Sequence, residues 1–87
     1  MRQRNQEIRR QCLLELNGVR PLARSASHVR RKLCANGFDY SEREVFTELE
    51  FLIGQELAER VNDTVAGERL YKITSQGVIE FEQSEPG

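Results

Sequence analysis

Eighty-seven residues, 38% hydrophobic and 31% charged with a formal net charge of −1, describe a single globular domain rather than a disordered chain. A chain of this length buries only about 60–65% of the surface its unfolded form exposes, so the core holds roughly two layers of short elements. No apolar run approaches the ~20 residues needed to span a bilayer, and the basic start MRQRNQEIRR leads into no signal-peptide hydrophobic block; no membrane contact and a cytoplasmic location are expected.

Taken in chain order, the first helix is predicted over residues 3–16, where Ile8, Cys12 and Leu16 recur at four-residue spacing and Leu13 widens the stripe. Residues 1–5 and 83–87 read as tails. Asn17-Gly18 ends the helix, and Pro21 pushes Arg20 towards extended geometry, so a short strand or strand-like link is predicted over residues 19–22. A second helix should start at Ser25 or Ala26 and run to Asn36, with Ala26, Val29 and Leu33 on its inner face. Gly37 suits the left-handed position after it, and Phe38 can then cover Leu33. Ser41 and Glu44 form a capping box, with Tyr40 and Val45 as the hydrophobic staple of a third helix. That helix should reach Ile53 along the line Val45, Leu49, Leu52, with Phe46 and Ile53 beside it and Gly54-Gln55 closing it.

The period then changes from 3.6 to 2. Leu57, Glu59 and Val61 alternate with Ala58 and Arg60; Arg69, Tyr71 and Ile73 alternate with Leu70, Lys72 and Thr74. Turn residues in NDTVAG place a loop over residues 62–67 between two strands of a hairpin. Thr74 or Ser75 can cap a last helix carrying Val78, Ile79 and Phe81. The order helix, short strand, helix, helix, strand, strand, helix predicts a mainly α fold with a small β-hairpin (α+β), the layout of a winged helix-turn-helix domain.

The stretch VFTELEFLIGQELAERV, followed by RLYKITSQG, resembles winged-helix transcription regulators, in which Tyr-x-(Ile/Leu)-Thr-x-x-Gly opens the terminal helix. Tyr71, Ile73, Thr74 and Gly77 occupy the matching places. The chain as a whole is similar to small winged-helix proteins of Mu-like bacteriophages and prophages. The resemblance implies contact with double-stranded DNA by the third helix and the wing.

Charge is divided along the chain. Residues 1–37 hold nine Lys or Arg against two acids, a balance of +7, and residues 38–87 hold four bases against twelve acids, a balance of −8. Two surfaces of opposite sign are therefore expected. Arg9 and Arg10 on the first helix and Arg30, Arg31 and Lys32 on the second are candidate phosphate contacts, joined by Arg69 and Lys72 in the hairpin; Arg2 and Arg4 would lie on a flexible arm. On the third helix, a stripe through Val45, Leu49 and Leu52 turns Arg43, Glu44, Thr47, Glu50, Phe51 and Gly54 outwards, with Glu48 at the border. Arg43 and Thr47 are the residues suited to base edges.

The carboxylates of that helix have two readings. Glu42 and Glu44 favour the positive end of the helix dipole, which makes them helix-start chemistry. Alternatively Glu44, Glu50 and Phe51 form an acidic, aromatic face for a protein partner or a second copy of the chain. Phe51 has a structural reading as well, packed beneath the wing or against Tyr71.

The two cysteines, Cys12 and Cys34, stand far apart with no CxxC pair and a single histidine, His28. That is too few ligands for a zinc site, and both are expected as reduced thiols on helices. His28 is expected at the surface. No nucleophile elbow or phosphate loop is present, so no enzyme, cofactor, metal or small-molecule substrate is inferred. The sequence leads to a DNA-binding winged-helix regulator, with a protein-interaction module on the same scaffold as the alternative.

Overall fold

The first helix holds its apolar stripe inward. In the computed structural model, which describes residues 2–62 and 67–84, α1 (Arg2–Gly18) buries Ile8, Cys12 and Leu16 completely and Leu13 almost so. It is longer than predicted at both ends. Residues 2–5, expected in a tail, form its first turn, and Arg4 is held there by Glu44. Residues 19–22 form a turn rather than the expected strand, tied by Val19 N–H to Glu15 O and Leu22 N–H to Val19 O, with the Arg20–Pro21 peptide cis. Proline has no N–H to give a ladder, so strand pairing begins beyond it, in β1 (Arg24–Ser25).

Ser25 ends β1 and caps α2 (Ala26–Ala35), its hydroxyl accepting from His28 N–H at 3.2 Å. The expected ending is present in full. Phe38 N–H donates to Leu33 O and Gly37 N–H to Cys34 O, with Gly37 at φ +97°, the paired bonds of a Schellman motif. The next helix, α3 (Glu42–Gly54), opens with the capping box, Ser41 Oγ accepting from Glu44 N–H and Glu44 Oε1 from Ser41 N–H. Tyr40 and Val45, the staple pair, are both buried.

The end of α3 differs from expectation. Gly54 is its last helical residue, and the left-handed position belongs to Glu56 at φ 64°. Leu57 N–H donates to Leu52 O and Glu56 N–H to Ile53 O, a second Schellman ending built without glycine. A side chain there is strained by about 1–2 kcal/mol, partly offset because glycine has more chain entropy to lose. Glu56→Gly is therefore expected to stabilise the fold by about 0.5–1 kcal/mol, read from the urea midpoint.

The strands β2 (Ala58–Asn62) and β3 (Arg69–Ile73) pair antiparallel with Arg60 opposite Tyr71. β1 pairs on the other side of β3, giving a three-stranded antiparallel sheet of order β1-β3-β2. Tyr71 and Ile73 are buried, as is Ala58 opposite Ile73. The predicted hairpin loop falls largely on residues 63–66, outside those described. Thr74 caps α4 (Ser75–Ser84), its hydroxyl accepting from Gly77 N–H at 2.9 Å. Residues 85–87 also lie outside the described set. Among the described residues the fold is thus α+β, four helices and one small sheet around a core of α1, α2 and α3 with Tyr71, Ile73 and Phe81 closing it.

Candidate functional site

The expected separation of charge does not survive folding along the seam between α1 and α3. Two arginines of α1, Arg4 and Arg9, lie against glutamates of α3. Arg4 grips Glu44 with two donors, Nε to Oε2 at 2.7 Å and Nη2 to Oε1 at 3.1 Å, and also reaches Asp39 O. Arg9 Nε donates to Glu48 Oε1 at 2.9 Å, and its guanidinium lies over the Phe51 ring at 3.7 Å. Glu48, expected at the edge of the outward face, is only 4% exposed. Helix packing decides this: α1 covers the flank of α3 that carries Glu44 and Glu48, four residues apart on one ridge.

Glu50 is held from the opposite flank. Its Oε2 accepts from Arg69 Nη1 at 2.8 Å and from the Tyr71 hydroxyl at 2.5 Å. Burial tends to raise the Glu50 carboxyl, but the Tyr71 and Arg69 donors outweigh it and leave it below its ordinary value. Burial and the Glu50 carboxylate push the Tyr71 phenol up to about 12. Arg60, opposite Tyr71 on β2, adds to the positive field at Glu50.

Glu44 is lowered most clearly. The Arg4 side chain, and after it the Ser41 backbone N–H, bring its carboxyl down to about 2 from 4.5. A depressed carboxyl contributes stability above its unfolded value and loses it as pH falls towards the folded one. Thermal melts of the native chain should therefore drop between pH 4.5 and about 2, while Glu44→Gln flattens that part of the profile.

With these carboxylates engaged, the outward arc of α3 becomes definite. At 100° per residue, Glu50, Arg43, Gly54 and Thr47 lie between Phe46 and Phe51. Both rings are part-exposed, 41% and 42%. Phe51 does not pack beneath the hairpin or on Tyr71; it lies on the α1 side under Arg9. Phe46, taken in the sequence as a neighbour of the core line, is on the hairpin side with Arg69 5.9 Å from its ring. Arg43 is exposed, and among the described residues no ion pair engages its guanidinium. Thr47 is exposed too, its hydroxyl donating to Arg43 O at 2.8 Å.

The remaining candidates are dispersed. Arg31 and Lys32 are exposed on α2 and, with half-buried His28, line a shallow depression. Arg30, their neighbour, is half-buried and donates to Tyr40 O at 3.0 Å, which fastens α2 to the turn before α3. Arg10 lines a groove of about 520 Å3 with Leu13, Leu52, Leu57 and Phe81, on the α1–α4 side. Lys72 alternates with Tyr71, so it points away from α3, towards Glu59 and a depression lined also by Arg20 and Ser75. The structure therefore brings Arg9, Arg69, Arg43 and Thr47 around one helix face and leaves Arg10 and Lys72 elsewhere.

The sequence placed Arg4 on an arm, Glu48 at the border of the outward face and Phe46 beside the core line, gave Arg60 no role, and so missed the part all four play here. Only Phe46 had a local signal, since the angle of its side chain from the core stripe was readable. The other three depend on which helix covers which flank. Both cysteines are free thiols, and burial, with Glu48 nearby, pushes Cys12 up to about 12. Among the described residues no three His, Cys, Asp or Glu side chains group as metal ligands would, and no helix is long and apolar enough to cross a membrane. No protein-family model matches this chain, and a search of curated proteins finds no match either.

Proposed function

We propose that this protein is a winged-helix nucleic-acid-binding domain, a small regulator of phage or prophage type acting in the cytoplasm. In this reading the β2–β3 hairpin is the wing, and α3 enters the major groove of duplex DNA. The element order and the third strand added by β1 support the fold assignment. The observation that carries the function is the internal use of three of the four α3 carboxylates, Glu42 remaining exposed. Glu44 belongs to Arg4 and the cap, Glu48 is buried under Arg9, and Glu50 holds Arg69 and Tyr71. The helix is acidic by composition, yet Arg43 and Thr47 lie central on its outward arc.

Arg31 and Lys32, exposed on α2 and without an ion-pair partner among the described residues, supply phosphate contacts in this reading. The test is a titration of mixed-sequence duplex DNA by fluorescence anisotropy over a range of salt. Affinity should fall steeply with salt, and replacing Arg31 and Lys32 by alanine should reduce the slope by about two. Absent binding at low salt, or binding indifferent to salt, removes the reading.

A second reading, a protein-interaction module without DNA binding, draws on the two part-exposed phenylalanines, since aromatic side chains dominate interface energies. Its partner would be a basic protein or another copy of the chain. Sedimentation at varied salt tests the latter, and an unchanging monomer eliminates it.

A further inference from the structure

We infer that Phe46 and Phe51 read the 5-methyl groups of thymine, so that the bound duplex carries thymines about two base-pair steps apart, with Arg43 reaching a base pair beyond the Phe46 end. This rests on the nucleic-acid reading above and specifies its substrate.

The two rings are part-exposed, 41% and 42%, and border the outward arc of α3. Five residues apart, they are separated by about 7.5 Å along the helix axis, roughly two base-pair steps at 3.4 Å each. Thr47 lies between them both around and along the axis, while Arg43, between them in angle, precedes Phe46 by about 4.5 Å. Each ring has a guanidinium beside it, Arg9 over Phe51 at 3.7 Å and Arg69 by Phe46 at 5.9 Å. Those arginines are themselves fixed by Glu48 and Glu50. The rings are thus held in place before any ligand arrives, and little side-chain freedom is left to lose on binding.

An apolar ring at a major-groove edge has one apolar partner there, the thymine methyl. Glu48 and Glu50 cancel the charge of the flanking Arg9 and Arg69, and the unpaired Arg43 gives the same face its attraction for phosphate, which favours a duplex over an apolar protein surface. Glu42 stands outside the arc, and Glu50, within it, is already hydrogen-bonded by Arg69 and Tyr71.

The experiment selects binding sites from a random-sequence duplex pool and then remakes the selected site with deoxyuridine for each thymidine. Uracil pairs like thymine and lacks only the methyl group. Each critical replacement should weaken binding by roughly four-fold, the effect of exposing one buried methyl. Phe46→Ala and Phe51→Ala should each bind the thymidine site less tightly and lose the discrimination at one set of positions. Thermal melts of the two variants confirm folding, as both side chains are part-exposed. A selected site bound equally with either pyrimidine overturns the inference and leaves DNA binding standing. So does salt-dependent binding with no enriched sequence. Absence of any duplex binding overturns the function proposed above and this inference together.

Discussion

Replacing Gly77 by alanine is expected to destabilise the domain by about 3 kcal/mol or more, at the upper end of what overpacking does. A Cβ at this position would lie 2.1 Å from Leu57 O and 2.7 Å from Ile73 Cγ1. The first contact is with backbone, so no rotamer change relieves it. Leu57 O also accepts the Thr74 N–H at 3.1 Å, and Thr74 Oγ1 in turn caps α4 through the Gly77 N–H. Moving α4 away would therefore weaken its own cap and the joint between the end of α3 and the end of β3. A fall in melting temperature of about 12–24 °C follows at 4–8 °C per kcal/mol for a domain of this size. Gly77→Ala with native-like stability would mean that α4 does not approach Leu57 this closely.

Arg9→Ala should lower stability by about 3 kcal/mol, the lower end of the range for breaking a buried pair, because Arg9 keeps some contact with water. The side chains are unequal, 29% exposed for Arg9 and 6% for Glu48. Removing the arginine leaves a carboxylate in the interior with no compensating charge. It also removes the guanidinium stacked on Phe51, worth about 0.5–1 kcal/mol at a part-exposed site. Removing the glutamate is milder, since the freed arginine can turn to solvent. The double variant Arg9→Met, Glu48→Met should recover most of the loss, because apolar residues of similar volume often replace a buried pair without penalty. Urea unfolding of the three variants measures this. Equal losses for the two single variants would contradict the asymmetry in burial.

The two substitutions differ in how much of their reason is present in the sequence. Gly77 stood out as the glycine of the Tyr-x-Ile-Thr-x-x-Gly pattern, but its need for a bare Cα comes from Leu57, a residue on the other side of the hairpin. Arg9 and Glu48 carried no mutual signal at all.

What the sequence by itself determined was local. The box of Ser41 with Glu44, the Schellman ending at Leu33, Gly37 and Phe38, and the alternation in β3 are each set by residues within a few positions, whose backbone bonds and φ preferences act at that range. What only the tertiary structure decided was the use of charge. Arg4 meets Glu44 and Arg9 meets Glu48 across sequence separations of 40 and 39. The basic and acidic halves, distinct along the chain, are laid against one another because the apolar stripes of α1 and α3 face each other, and the charged residues beside those stripes follow the packing.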